Sequence, residues 1–368
     1  MLDYIALTLA SIHFGVLIAY FLYAKGKWFR QPWNLTIDED YKPKITVILP
    51  TYNEAEIIEG RLENLWRQVY PPNRMDIIVV DSSTDGTADI VQEWSSYHTN
   101  MRLQLIREKK RCGKMHALEL AIANLPAKTE VVVFTDADAF WEPDALFKAA
   151  RYLTDPAIGS VTASILYEEN QNTLLENTYR DYYNLLRVAE SKFCSTPVHN
   201  GPFQAIRADF LREVGLPNFV GGDDSAFGSF IAFTGYRSVQ VDDITVREPI
   251  RGNRLIRKIR RAQHLLLSFL STRGYAKKSG FYSKTSFDKI WMIEWWLHLV
   301  NPWLLTISVA LSIIDIVCFG SILALILIAA GLSLLTLRIF RTWILQQFYL
   351  IAAAIRNLWT KDAVWNRN

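Results

Sequence analysis

Cysteine is scarce. The 368 residues contain three, Cys112, Cys194 and Cys318, and no pair has CxxC spacing. A disulfide framework is therefore excluded, and Cys112 with His116 four residues on is a single pair, too few ligands for a zinc site. Excess charge of one sign is missing as well. Forty Lys and Arg stand against 37 Asp and Glu, a net +3, too small for a nucleic-acid partner. Full charges are absent from residues 4–24, a continuous apolar run. The features of a cleaved signal peptide are lacking too: no basic region precedes this run, and no small-residue cleavage site follows it.

What is present is apolar residues at both ends and an ordinary globular composition between them. A run of about 20 apolar residues is enough to cross a bilayer core. Asp3 precedes the first run, and Lys25, Lys27 and Arg30 follow it. The positive-inside rule then predicts an outward N-terminus and a chain that enters the cytoplasm near residue 25. His13, inside the run, is expected to face a neighbouring helix. At the other end Trp291, Trp295, Trp296 and Trp303 read as an aromatic belt. Two spans are expected after it, at 297–317 and 322–337, with Pro302 tolerated in the first. Residues 343–359 are apolar but interrupted by Gln346, Gln347 and Arg356. They read as a helix lying in the interface, with a short third C-terminal span as the alternative. The expected domains are thus an N-terminal transmembrane helix at 1–30, a catalytic domain at 31–250, a basic amphipathic segment at 251–289, and transmembrane and interfacial helices at 290–368.

Between the ends, strand-like runs at 45–49, 77–80, 103–106 and 131–134, of which 77–80 and 131–134 are apolar at every residue, alternate with helical patterns at 56–68, 88–94 and 115–125. Strands that are apolar throughout are buried on both faces, so the alternation predicts an α/β fold with a mostly parallel sheet. Ligands of such sheets bind beyond the carboxyl ends of the strands. The first strand is followed by Pro50, Thr51, Tyr52, Asn53 and Glu54, the second by Asp81, Ser82, Ser83, Thr84, Asp85, Gly86 and Thr87. The fourth is followed by Thr135, Asp136, Ala137 and Asp138. Any one of these could be a cap or an Asx turn, but three on one sheet edge point to a ligand site. Two carboxylates two residues apart, just past a strand, can reach one hard cation, which makes Asp136 and Asp138 candidate ligands for Mn2+ or Mg2+.

In this order the motifs resemble family 2 glycosyltransferases with the GT-A fold, in the ceramide glucosyltransferase and polysaccharide synthase branch, over about residues 44–265. VILPTYNEAEII at 47–58 resembles the opening strand and donor loop. IIVVDSSTDGT at 77–87 resembles the second strand and its turn. KKRCGKMHALELAI, VVVFTDADAFWEPDAL, HNGPFQAIRADFLREVG and GGDDSAFGSFIAFTGYRSV follow in the family's order. The resemblance implies a Rossmann-like catalytic domain flanked by transmembrane and interfacial helices. It also implies a UDP- or GDP-sugar donor contacted by Pro50, Thr51, Tyr52, Glu54, Asp81, Lys114 and Asp136. Metal would sit on Asp138 and Asp136, and the acceptor side would include His199, Asn200 and Gly201. Asp223 and Asp224 stand where the family has its ED pair, so Asp224 is the candidate general base, with Asp223 beside it. Arg257, Arg260 and Arg261 resemble the (Q/R)xxRW motif that contacts the diphosphate. Its Trp is Arg261 here, which argues against polymer synthesis.

Transfer from a sugar nucleotide leaves negative charge on the diphosphate, which the metal and a cation from Arg260 or Lys114 would neutralise. A hydroxyl acceptor needs a base, and the neighbouring carboxylate and partial burial would raise the pKa of Asp224 toward that role. The expected function is an inverting, metal-dependent transferase of the cell membrane. Its catalytic domain would be cytoplasmic, and its acceptor a lipid or lipid-linked hydroxyl. The alternatives are a processive polysaccharide synthase, which needs more transmembrane helices, and a polyprenyl-phosphate sugar synthase, whose anionic acceptor needs no base. The basic run from Arg251 to Arg261 fits a helix at the membrane surface, and 174–193 reads as either core packing or a wall of the acceptor path.

Overall fold

The computed structural model describes residues 1–166, 174–217, 223–247 and 254–360. Helix α1 (Leu2–Tyr23) runs into a π-helical turn at Ala24–Trp28. The central segment lays down β1 (Ile45–Thr51), α2 (Ile58–Trp66), β2 (Met75–Asp81), α3 (Thr87–Tyr97), β3 (Arg102–Arg107), α4 (Lys114–Ala123) and β4 (Val131–Phe134). It continues with β5 (Phe140–Trp141), α5 (Ala145–Tyr152), β6 (Ile158–Leu166), α6 (Leu174–Phe193), β7 (Gln204–Arg207), α7 (Ala208–Val214), α8 (Asp223–Phe233) and β8 (Arg237–Arg247). The chain ends in α9 (Arg254–Lys278), α10 (Phe287–Leu299), α11 (Asn301–Phe319), α12 (Ile322–Leu334) and α13 (Arg338–Arg356).

The sheet order is β3-β2-β1-β4-β7-β6-β8-β5. The first four of these strands are parallel, as the continuous apolar runs require. Alternate residues of β1 enter two cores. Ile45, Val47 and Leu49 pack with Ile58, Leu62, Val91 and Leu146, while Ile48 packs with Leu118, Val132 and Phe227 on the other face. Each such fully buried side chain contributes about 1.5–3 kcal/mol. The other half of the sheet is mixed. β7 runs antiparallel to β4, with Phe134 opposite Gln204, and β6 and β8 are parallel to each other. The β4–β7 register matters most for function, because it sets the loop that leaves β4 beside the loop that enters β7.

Two helical stretches, Leu2–Trp28 and Phe287–Phe319, are long and apolar enough to cross a membrane. α1 and α11 pack against each other in opposite directions. Asp3 N–H donates to Asp315 Oδ2 (2.9 Å), Ser308 Oγ to the Ala6 carbonyl (2.7 Å), and His13 Nδ1 lies 2.9 Å from the Asn301 carbonyl. Trp343 Nε1 donates to His13 Nε2 (3.0 Å), so the histidine joins three helices, as its place in an apolar run suggested. Pro302 occupies the first turn of α11, where its missing N–H removes no helical bond. The span expected at 322–337 differs. α12 has only 13 residues, roughly 20 Å of helix against a hydrocarbon core of about 30 Å. It meets α13 at a 107° bend, so the two reach spanning length only as one broken element. α13 buries Tyr349, Leu350 and Ala353 against Ala262 and Leu266 of α9.

Candidate functional site

The carboxyl ends of β1 and β2 are tied together by side chains. Thr51 Oγ1 donates to Asp81 Oδ1 (2.6 Å), as does Ser83 Oγ (2.6 Å), and Ser83 N–H reaches Asp81 Oδ2 (3.1 Å). Asn53 adopts a positive φ of 54°. It is held there because its N–H donates to Ser83 Oγ (2.8 Å) and its Oδ1 accepts from Thr84 N–H (3.0 Å). Glu54 N–H donates to Thr87 Oγ1 (3.0 Å) and Ala55 N–H to Asp85 Oδ2 (3.1 Å). Gly86, at φ 90°, lets the turn enter α3. The turn residues of the second strand therefore serve chiefly to staple the Pro50–Glu54 loop. The Arg111 guanidinium lies 3.7 Å from the Tyr52 ring centroid and forms a lip over this end of the sheet.

Past β4 the chain turns at residues 137–138, where Ala139 N–H donates to the Asp136 carbonyl (3.4 Å). Ala137 and Ala139 are buried, and Asp136 and Asp138 are half-exposed. Lys114 Nζ, at the start of α4, donates to Asp136 Oδ1 (2.9 Å). Gly201 lies against one carboxylate of each expected pair, Asp136 and Asp224. Its N–H donates to Asp224 Oδ2 (2.7 Å). A Cβ at position 201 would stand 2.9 Å from Asp224 Oδ2 and 3.3 Å from Asp136 Oδ2. Only a glycine leaves that cradle open. Asp224 Oδ1 accepts the Ser225 N–H at the start of α8 (2.8 Å). Asp223 opens the same helix, but its side chain lies outside the described residues.

These groups border a cavity of about 230 Å³. Lys114, Asp136, Asn200, Gly201 and Asp224 form one side. Lys258, Arg260, Arg261 and His264 of α9 form another, and Tyr179, Tyr183 and Arg187 of α6, with Gln346, Tyr349 and Leu350 of α13, complete it. Pro50, Thr51, Tyr52, Glu54 and Asp81 gather separately at the β1–β2 edge. Three expected residues are placed differently. Asp138 is not among the residues bordering the cavity, although Asp136 is. Arg257 is not among the residues bordering the cavity, while its neighbour Lys258 is. His199, expected on the acceptor side, is a buried structural group. Its Nε2 pairs with Ser238 Oγ (2.6 Å), its Nδ1 with Gln204 Nε2 (3.2 Å), and it fills the space where Gly228 lacks a Cβ. Burial holds its pKa down at about 3, so it is neutral and sets the course of the 199–203 loop. Residues 251–253 of the basic run lie outside the described residues, as do the side chains of Arg254 and Leu175.

Three features escaped the sequence. Arg61 is fully buried beneath the Asp136 loop. The signal was there, since 58, 61, 62 and 65 are one helical face and a charge stood on it. The α13 contribution to the cavity had no local signal, because it depends on the fold-back at the 107° bend. Glu108 joins Cys112 and His116, which by spacing alone were too few for a metal. The three ligand atoms lie within 4.8 Å of one another, with His116 Nδ1 2.6 Å from Glu108 Oε1.

The family described as glycosyl transferase family 2 matches residues 46–215. Among solved structures, the mannosyltransferase PcManGT of Pyrobaculum calidifontis, in complex with GDP-Man and Mn2+, is 39% identical, with a TM-score of 0.86. That similarity covers 98% of this chain and 99% of that one. The teichuronic acid biosynthesis glycosyltransferase TuaG of Bacillus subtilis is 32% identical over 32% of this chain and 44% of its own length. The poly-beta-1,6-N-acetyl-D-glucosamine synthase of Staphylococcus epidermidis is 26% identical over 56% of this chain and 49% of its own. The chain thus spans about half or less of these two curated relatives. With its strand-end motifs, its sheet and a full-length similarity of 39%, the chain belongs to glycosyl transferase family 2 and has the GT-A fold.

Proposed function

We propose that this protein transfers a mannosyl unit from GDP-mannose, with inversion, to a hydroxyl of a lipid or lipid-linked acceptor, using Mn2+ or a similar divalent ion. The observation that carries the reading is the convergence of Lys114, Asp136, the Gly201 cradle and Asp224 on one cavity bordered by α9 and α13. The choice of GDP-mannose and Mn2+ follows from the full-length similarity to PcManGT, whose complex holds both. Asp136 and Asp138 suit a hard cation, being half-exposed carboxylates on one loop with a glycine opposite. When bound, the ion would neutralise charge on the departing diphosphate.

The chain's own residues would do the rest. Pro50, Thr51, Tyr52, Glu54 and Asp81 would seat the nucleoside. Lys114 and Arg260, with Arg261 and Lys258 beside them, would face the diphosphate. Asp224, steered by Gly201 N–H, would take the proton from the acceptor hydroxyl. Arg257 would contribute to the positive field of α9 from outside the cavity wall. His199 would act by positioning Asn200 and Gly201. The acceptor would approach past Tyr179 and Tyr183 of α6, beside α13. A panel of GDP- and UDP-sugars, offered to the detergent-solubilised protein with and without Mn2+, tests this. Turnover of GDP-mannose that depends on Mn2+ is expected, and turnover of UDP-sugars alone overturns the donor assignment.

The same reading makes the protein a multi-pass membrane protein, its catalytic domain (31–250) cytoplasmic and linked through 251–289 to the helices of 290–368. The basic residues just after α1 support it. Two candidate spans, or three if the bent pair counts as one, favour single-sugar transfer over a polymer channel. Single cysteines at residues 1 and 150, introduced after Cys112, Cys194 and Cys318 are replaced by Ser and probed with an impermeant reagent in sealed vesicles, should label from outside and inside respectively. Outside labelling at 150 sinks the orientation.

A further inference from the structure

Helix α2 buries one face through Ile58, Arg61, Leu62 and Leu65. A buried guanidinium is expensive unless a carboxylate pairs with it. Arg61 is 0% exposed, and among the described residues it makes no ion pair. Its Nη2 donates to Thr135 Oγ1 (2.7 Å), its Nη1 to Asn64 Oδ1, its plane lies 4.4 Å from the Trp141 ring centroid, and its Nε has no partner. The charges that its field reaches are Asp136 and Asp138. Burial lowers its pKa to about 9, and those two carboxylates oppose the shift. Thr135 links Arg61 to the catalytic loop, because its Oγ1 also donates to the Pro202 carbonyl (2.9 Å), as does Trp141 Nε1 (2.9 Å).

We propose that Arg61 makes cation binding at Asp136 and Asp138 depend on the nucleotide diphosphate. The inference rests on the metal reading above. Lys114 and Arg61 already offset Asp136 and Asp138, so that of the described carboxylates around the Gly201 cradle only the single charge of Asp224 is left to meet an entering dication. A dication entering alone would leave this region with excess positive charge, and because Arg61 is buried, solvent and salt screen little of that repulsion. The diphosphate brings the missing negative charge. Metal and nucleotide therefore load as a unit, and the site does not hold free metal ahead of the donor. By linkage, Mn2+ raises nucleotide affinity by the same factor as nucleotide raises Mn2+ affinity.

The test is equilibrium Mn2+ binding to the full-length, detergent-solubilised protein, read from the EPR signal of free Mn2+, with and without GDP. In the wild type, Mn2+ alone should bind weakly and GDP should tighten it. Arg61→Met and Arg61→Gln remove the charge, and Gln keeps a hydrogen bond for Thr135. Both should bind Mn2+ alone about 10-fold more tightly or better, with the GDP enhancement reduced by a similar factor. Arg61→Lys retains the charge and should behave as the wild type, and Thr135→Val, which cuts the link without changing charge, should not tighten Mn2+. A purely structural Arg61 would give the opposite pattern, with both neutral variants binding Mn2+ less well or unchanged while thermal melting shows them folded, and that result overturns the proposal. A wild type that binds no Mn2+ even with GDP or UDP would instead remove the metal reading itself, and this inference with it.

Discussion

Asp138→Ala is expected to reduce Mn2+-dependent donor turnover by about 10²-fold or more, the scale of losing electrophilic stabilisation of a leaving group. The position isolates the metal role better than Asp136 does. Asp136 Oδ1 also accepts the Lys114 ammonium (2.9 Å), so its removal would break that ion pair as well and confuse two effects. Asp138→Ala leaves that pair and the Gly201 cradle in place. The fold should survive, since Ala137 and Ala139 hold the loop in the core and Asp136 still offsets the buried Arg61. The measurement is donor hydrolysis and transfer against Mn2+ concentration, alongside thermal melting. Full activity in the variant, or in EDTA, would remove the metal from the mechanism.

Asp224→Asn should lower transfer by about 10²–10⁴-fold, the usual worth of acid–base catalysis, while donor binding persists. On the proposed reading the donor contacts come from other residues, chiefly the β1–β2 loops and α9. Both oxygens of Asp224 accept backbone N–H groups, from Gly201 and from Ser225. An Asn can accept only one of these well, so part of the loss will be positional. Nucleotide affinity separates the two, because a displaced Gly201 loop would also disturb Asp136 and weaken the donor. Asp223→Asn should cost less, its expected role being to tune its neighbour or cap α8. If Asp224→Asn transfers at the wild-type rate, the acceptor is already anionic, and the polyprenyl-phosphate reading would replace the hydroxyl one.

The parallel half of the sheet was readable because its evidence is local. Short, mostly apolar strands that alternate with helical patterns are accounted for by a parallel sheet covered on both faces, with the loops that leave the strands on one edge; β3, at the sheet's end and carrying Gln104, is the half-buried exception. That argument located 45–49, 77–80, 103–106 and 131–134, and the strands extend them by at most two residues at either end. The loops of the candidate site were legible for the same reason, as carboxylates and glycines at fixed offsets from strand ends. The mixed half was harder to read. β7 is four residues long, and its antiparallel place beside β4 is decided by pairing partners far away in the chain.

By itself, then, the sequence determined the α/β class, the edge where chemistry collects, the carboxylates at 136, 138 and 224, and the apolar helices at each end. These follow from periodicity and from residue types that a short segment carries with it. Tertiary structure decided which groups share a cavity. It turned His199 into a buried strut and left Arg257 off the cavity wall, where Lys258 lies instead. It stopped α12 short of a bilayer and folded α13 back onto α9. It also set Arg61 beneath Asp136 and Asp138. The physical reason is common to all of these. A side chain's direction and a helix's packing partner depend on contacts between segments distant in sequence, whose energies no local pattern encodes, whereas the need to bury an apolar strand is written along the strand itself.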